Sequence, residues 1–187
     1  MKQIIPFAHD WLRQTIESGD TVVDATLGNG HDSVFLSQTV GSNGHVYSFD
    51  IQVEAITEAK QLFNREQTEN VTTVQLGHEH ASSYLQDRGV QSIGGAIFNL
   101  GFLPGGDEEI TTHADTTIQA IDGIFSLLKS KRMIVIVVYP GHETGQTEKN
   151  QLMTYLKQQK PSTMDVAMYH LVNRSDKAPF VVGLYKK

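Results

Sequence analysis

Two carboxylates flank a Gly-x-Gly turn in the segment Asp24-Ala25-Thr26-Leu27-Gly28-Asn29-Gly30-His31-Asp32. The run before it, residues 21–25, is apolar and β-rich, so the turn joins a buried strand to a helix. Glycine admits positive φ and lets a backbone approach a ligand closely. In open α/β sheets the ligand crevice lies at the carboxyl ends of the strands. A dinucleotide fingerprint needs Gly where Ser33 stands, and a P-loop needs Gly-Lys-Ser/Thr, which is absent. A carboxylate at position 24 repels phosphate and suits a ligand that carries an ammonium group. An ordinary strand-to-helix turn would use the same glycines for geometry alone.

Four more polar groups stand at the ends of β-rich runs. Asp50 closes the second run, at a distance from the glycine turn that suits an acid accepting ribose hydroxyls, with Gln52 beside it. The same position also suits a cap for the next helix. Gly77-His78-Glu79-His80 follows the third run. His78 and Glu79 can bond to or stack on a base there, or Glu79 or His80 simply starts a short helix through Tyr84 and Leu85. The His-x-His spacing alone does not make a metal site, since no third ligand stands at suitable spacing. Asn99 follows the apolar Phe98, where an unpaired amide is costly to bury. It opens the loop Asn99-Leu100-Gly101-Phe102-Leu103-Pro104-Gly105-Gly106-Asp107, and it reads either as a positioning group or as a local cap. Tyr139 and His142, in Tyr139-Pro140-Gly141-His142, can stack on or bond to a base, or form a surface turn.

The elements that must carry these groups alternate in period. Strands are predicted over 21–25, 45–50, 71–76, 94–99 and 133–139, the last holding five consecutive β-branched residues from Ile134 to Val138. Such runs suit strands buried on both faces of a parallel sheet. Pro6, with Phe7, Trp11 and Ile16 on one face, marks a first helix closed by Gly19. Val53, Ile56, Leu62 and Phe63 make a second stripe, and Ile118, Ile121, Phe125 and Leu128 a third. A further helix is predicted over 146–159. Runs 164–172 and 180–185, joined by a turn-rich segment, read as an antiparallel pair. Alternating strands and helices predict one α/β domain over 1–187, with helices on both faces of a seven-stranded, mostly parallel sheet that ends in an antiparallel hairpin. That order resembles the Rossmann-like class I S-adenosylmethionine methyltransferases, a likeness of fold that is only a prior on function.

The chain has 187 residues, no Cys and a net charge of −6. The length can bury a full core without a staple, and the missing Cys excludes thiolate metal sites, thiol nucleophiles and disulfides. The acidic balance excludes a protein that coats nucleic acid through a broad basic face. Residues 1–11 hold Pro6, His9 and Asp10 where a secretory signal would be apolar, and no apolar stretch is long enough to span a bilayer. A cytoplasmic protein without membrane association is expected. Basic residues gather at Lys129, Lys131 and Arg132, at Lys157 and Lys160, at Arg174 and Lys177, and at Lys186 and Lys187. Each group is a candidate RNA contact or a solvated surface.

The loops 24–32, 99–107 and 139–142 together resemble a family of small bacterial methyltransferases labelled putative rRNA methylases. Within it they resemble the tRNA 5-(aminomethyl)-2-thiouridine methyltransferases, over essentially the whole chain. The resemblance implies S-adenosylmethionine as cofactor and the tRNA anticodon stem-loop as partner. It implies methylation of the exocyclic amine of a 5-aminomethyl wobble uridine, with no resident metal, and it leaves a homodimer open. Asp24, Thr26, Gly28, Asn29 and Gly30 would then serve the methionine end, and Asp50 and Gln52 the ribose and adenine. His78, Glu79 and Asn99 would also line the cofactor. Asn99, Asp107 and Asp32 are the candidates for the reaction itself, and Leu100, Gly101, Tyr139, His142 and Arg174 for substrate RNA. Methylation of rRNA or of a small molecule stays open, as does an inactive fold that binds RNA. A nicotinamide-dependent reductase is disfavoured by Ser33 and by the terminal hairpin.

Overall fold

The protein was analysed as a computed structural model that describes residues 1–101, 112–141 and 143–187, with side chains from 145 onward in the last segment. Seven strands form one sheet in the order β3-β2-β1-β4-β5-β7-β6. The strands are β1 (Thr21–Asp24), β2 (His45–Asp50), β3 (Val71–Gln75), β4 (Ile93–Leu100), β5 (Leu128–Val138), β6 (Met164–Tyr169) and β7 (Phe180–Lys186). The first five run parallel, while β7 pairs antiparallel with both β5 and β6. The predicted architecture is therefore the observed one. The helices are α1 (Ile4–Arg13), α2 (His31–Val40), α3 (Val53–Arg65), α4 (Ala81–Asp87), α5 (Ala114–Leu127) and α6 (Glu143–Lys157), with a 3-10 turn at His78–His80.

Alternation along the central strands creates two cores. Val22, Ile97, Val135, Val137 and Val181 face α1 and α2, against Ala8, Leu12 and Leu36. Val23, Phe98, Ile134, Ile136 and Val182 face the other way, onto α4, α5 and α6. The five β-branched residues of β5 are all buried because both faces of the strand are covered.

The helical stripes differ from the expected ones in a consistent way. In α1 the buried positions are Ile4, Ala8 and Leu12, with Phe7 and Trp11 at the margin and Ile16 beyond the helix. In α3 they are Ala55, Ala59, Leu62 and Phe63, while Val53 stays exposed. In α5 the buried face runs through Thr117, Ala120, Ile121 and Ile124, flanked by Ile118 and Phe125, and Leu128 begins β5. Counting large residues misses the small ones that let a helix lie close to the sheet. The last helix starts three residues before the expected 146, at Glu143. The fifth strand starts early because Leu128 pairs with Ile93. Residues 129–132 then bulge, Lys131 taking φ 62°, before pairing resumes at Met133.

At the amino edge of the sheet, Asp20 is nearly fully buried. It accepts the Glu17 N–H at 2.8 Å and the Lys129 ammonium at 2.7 Å. Arg132 bridges to Glu17 at 2.6 Å. These cations close the bottom of the fold.

Gly30 is fixed by packing as well as by conformation. Its φ is 87°, and a Cβ there would lie 2.9 Å from Ala59 Cβ and 3.0 Å from a Phe63 ring carbon. The close approach that this glycine permits is thus to α3 rather than to a ligand. Gly30→Ala combines a left-handed alanine with an overpacked contact, and is expected to lower stability by about 3 kcal/mol in denaturant titration.

Candidate functional site

The carboxyl ends of β1 to β5 bring the acidic and polar loops to one edge. Asp24 ends β1 with no exposed surface. One carboxylate oxygen accepts the Ser33 hydroxyl at 2.6 Å and the other accepts the Thr26 N–H at 3.2 Å. Ser33 also bonds the Ser48 hydroxyl at 2.8 Å, so β1, α2 and β2 share one buried network. Burial, and then the nearby Asp32 charge, push Asp24 up from its ordinary 3.8 to about 7, against the hydrogen bonds from Ser33 and Thr26. Asp24 lies beneath the turn with both oxygens engaged, and Ser33 is the hydroxyl that holds it there.

Asp50 holds the turn from the side. It accepts the Gly28 N–H at 3.0 Å and the Gln52 N–H at 2.9 Å. Gly28 sits at φ 47°. The acid thus fixes the glycine turn and the N-cap residue of α3 at once. On either side of Gln52, Ile51 is 57% and Val53 is 54% exposed, an apolar ledge beside a carboxylate.

His78 lies behind the loop, its ring edge-on to Phe98 at 5.8 Å. Desolvation pulls its pKa down, against Glu79 and a bond to the Ala25 backbone, so the ring is neutral near pH 7. Glu79 folds back over Gly77, where a Cβ would lie 2.4 Å from its carboxylate oxygen. Its other contact is His80, at 3.5 Å.

Asn99 joins three elements. Its N–H donates to Thr26 Oγ1 at 2.7 Å and its Nδ2 donates to Asp32 Oδ2 at 3.0 Å. The other Asp32 oxygen meets His9 Nε2 of α1 at 2.6 Å. Tyr139, partly exposed at the end of β5, is pushed up by burial and by the Asp32 charge. Among the described residues, Asn29 Oδ1, His78 Nε2 and Asn99 Oδ1 are buried without a hydrogen-bond partner. They stand at the ends of β1, β3 and β4, and a fourth such atom, Arg132 Nε, lies at the amino edge. Native interiors leave few such atoms unpaired, and three of these four gather where a polar ligand can meet them.

The loop after β4 is closed at its base. Gly101, at φ 150°, donates its N–H to Thr112 Oγ1 at 3.1 Å, and its carbonyl accepts the Thr112 N–H at 3.2 Å. Thr112 and Thr117 both donate to the buried Glu148, at 2.8 Å and 3.0 Å. Leu100 is in the core, so its side chain is not at the surface. Asp107 and His142 lie outside the described residues.

The basic groups divide between the two edges. Lys129 and Arg132 are tied to Asp20 and Glu17 at the amino edge. Lys157 ends α6, and Lys160 follows it toward the same edge. Lys186 caps the Phe125 carbonyl at 2.9 Å, and Lys187 pairs with Asp165 at 2.8 Å. Arg174 and Lys177 are exposed in the turn between β6 and β7, which emerges beside the carboxyl end of β5. Lys149 Nζ lies 3.5 Å from the Asp176 carbonyl of that turn. Of the expected basic candidates, the Arg174–Lys177 pair stands at the edge that carries Asn99 and Tyr139.

Four contributors were not among the expected site residues: His9, Ser33, Thr112 and Glu148. Ser33 had a signal in its nearness to the turn. The others reach the site across long stretches of chain and had none.

The arrangement provides a glycine turn pinned by an acid, an apolar ledge, and an amide whose oxygen is free to accept an N–H. A family model described as Putative rRNA methylase matches residues 46–184. The chain is 32% identical to the tRNA (mnm(5)s(2)U34)-methyltransferase, chloroplastic, of Arabidopsis thaliana, over 100% of this chain and 70% of that protein. It is also similar to the crystal structure of a putative rRNA-methylase from Clostridium thermocellum, with a TM-score of 0.95 and 34% identity over 100% of this chain and 99% of that one. A putative methyltransferase from Streptococcus mutans, in complex with SAH, matches with a TM-score of 0.89 and 31% identity, again over 100% and 99%.

Asp24 makes stability depend on pH. Its folded pKa lies above its unfolded one, so the folded chain binds the proton more tightly, and this group's contribution is lost as pH rises from about 4 through about 7. Asp24→Asn is expected to flatten that part of the profile. Denaturant midpoints compared from pH 5 to 8 should fall more steeply for the wild type than for the variant, and parallel profiles would show that Asp24 does not titrate there.

Proposed function

The chain belongs to the Putative rRNA methylase family, and on that premise we propose that it methylates the exocyclic amine of a 5-aminomethyl wobble uridine in tRNA, giving the 5-methylaminomethyl base. It is an S-adenosylmethionine-dependent methyltransferase of RNA. The observation that carries the finer reading is Asn99, whose amide donates to Asp32 and leaves a buried carbonyl oxygen free to accept an N–H. An amine is the substrate group that such an acceptor orients.

The residues fit the cofactor. Asp50 and Gln52, with the ledge of Ile51 and Val53, suit the ribose and adenine. Thr26, Gly28, Asn29 and Gly30 form the turn at the methionine end, with Asp24 supporting it from below. His78 and Glu79 border the adenine side. When bound, S-adenosylmethionine supplies a methyl group already activated on a sulfonium. What the chain adds is alignment. A free alkylamine is mostly protonated near pH 7, as a lysine is, and attacks only when neutral. Desolvation between Tyr139 and Asn99 favours the neutral form. The Asp32 carboxylate beside them holds the ammonium on arrival and is placed to take up its proton. Asp107, the other acid that the sequence offers for that contact, lies outside the described residues.

Arg174, Lys177 and Lys149 supply the phosphate contacts at this edge, and Tyr139 a face for a splayed base. A rim this small suits a stem-loop, and makes binding moderately sensitive to salt.

Two measurements test the reading. Protein and S-adenosylmethionine are incubated with tRNA bearing aminomethyl uridine, beside an unmodified transcript, and the nucleosides are read by mass spectrometry. A gain of one methyl on that nucleoside alone is expected, and no gain with cofactor binding intact would move the substrate to rRNA. For Asp50→Ala, calorimetry is expected to show SAH affinity reduced by about 10- to 100-fold, the loss of a charged hydrogen-bond acceptor. Unchanged affinity would remove Asp50 from the cofactor site.

A further inference from the structure

The mechanism above leaves His9 without a role, although it is bonded to the carboxylate at the centre of the site. We propose that His9 is a positioning residue: by holding Asp32 it fixes the Asn99 amide with its carbonyl oxygen toward the substrate amine. This rests on the amine-methylating reading of the site.

An ionised carboxylate only accepts hydrogen bonds. Asp32 Oδ2 therefore selects the NH2 side of Asn99, at 3.0 Å, and turns Oδ1 away from itself. That Oδ1 is the buried acceptor without a partner. The orientation of Asn99 is thus only as secure as that of Asp32, which sits in the first turn of α2, where its side chain has other rotamers. His9 removes that freedom. Its Nε2 meets Asp32 Oδ1 at 2.6 Å, and against an acceptor it must be the N–H.

His9 is itself clamped. Its ring lies flat on Phe35, with centroids 3.9 Å apart and planes 1° from parallel. The helix that carries it is seated on the sheet by Ile4, Ala8 and Leu12. The chain of contacts therefore runs from a packed helix to a ring, to a carboxylate, to an amide, and ends at a free acceptor. His9 does not reach the reacting atoms and acts only through Asp32.

A purely structural His9 would matter for its stacking on Phe35, whereas a positioning His9 matters for its N–H. His9→Phe keeps an aromatic ring and loses the donor, while His9→Gln loses the ring and keeps a donor. For methyl transfer to aminomethyl tRNA, kcat of His9→Phe is expected to fall about 10- to 100-fold, the scale of a misplaced reacting group. KM for tRNA and SAH affinity should stay within about threefold, and His9→Gln should recover most of kcat, by the same reasoning. Wild-type turnover in His9→Phe, a loss confined to KM, or an equal loss in both variants would overturn the proposal.

A second readout does not need turnover. The Asn99 side-chain amide signal in 15N NMR, assigned by its disappearance in Asn99→Asp, should be shifted and protected from exchange in the wild type and in His9→Gln, and lose both in His9→Phe. An unchanged signal in His9→Phe overturns the proposal. If the wild type does not methylate the aminomethyl nucleoside, the substrate reading fails and this signal alone decides whether His9 sets the amide.

Discussion

The site is organised around a carboxylate buried where no water reaches it. Putting Asp24 beneath the glycine turn costs solvation free energy, which the Ser33 hydroxyl and the Thr26 N–H only partly offset, as its raised pKa shows. The network those bonds create fixes the start of α2 relative to β1 and, through Ser48, to β2. Everything functional is downstream of that. Asp32 is the neighbour of Ser33 in the first turn of α2, Gly28 is held by Asp50, and Thr26 presents the hydroxyl that takes the Asn99 N–H. Moving the turn would move the acceptor, the acid and the ledge together.

The fold was legible because its signals are long. Five β-branched residues in a row can only be a doubly covered strand, and the glycine turn after an apolar run locates the carboxyl edge. Asp50 and Asn99 were legible for the same reason, as polar residues at the ends of apolar runs. The helix faces were read less well, because alanine carries little weight in a hydrophobic pattern, although Ala8, Ala59 and Ala120 are among the most deeply buried residues of their helices. Residues that reach the site through space were not legible at all. Nothing near His9 signals Asp32, and nothing near Glu148 signals the loop that opens at Gly101. Charge was misleading in one respect, since lysine and arginine clusters look alike in sequence whether they meet phosphate or neutralise a buried Asp20.

That division of charge reconciles an acidic chain with the RNA substrate proposed for it. At the amino edge, Lys129 and Arg132 are consumed by Asp20 and Glu17 and contribute to the fold. At the carboxyl edge, the turn between β6 and β7 carries Arg174 and Lys177 into solvent. Net charge describes neither edge: the carboxyl edge sets the acids Asp32 and Asp50 inside a short rim that carries a few cations.

The placement of β7 also orders events in time. It follows β6 in sequence yet lies between β5 and β6, bonded to both. While the chain is being made, β5 therefore has an open edge and β6 has nothing to pair with until Phe180–Lys186 has emerged. The strand that leads into Tyr139 is finished by a segment more than forty residues further on, so the Tyr139 side of the site is completed only after that segment has emerged. An edge left open in this way is a temporary invitation to pair with another chain. In the folded chain β6 becomes the edge, and it exposes Val166 and Met168 beside the single carboxylate of Asp165, so the invitation is narrowed rather than withdrawn.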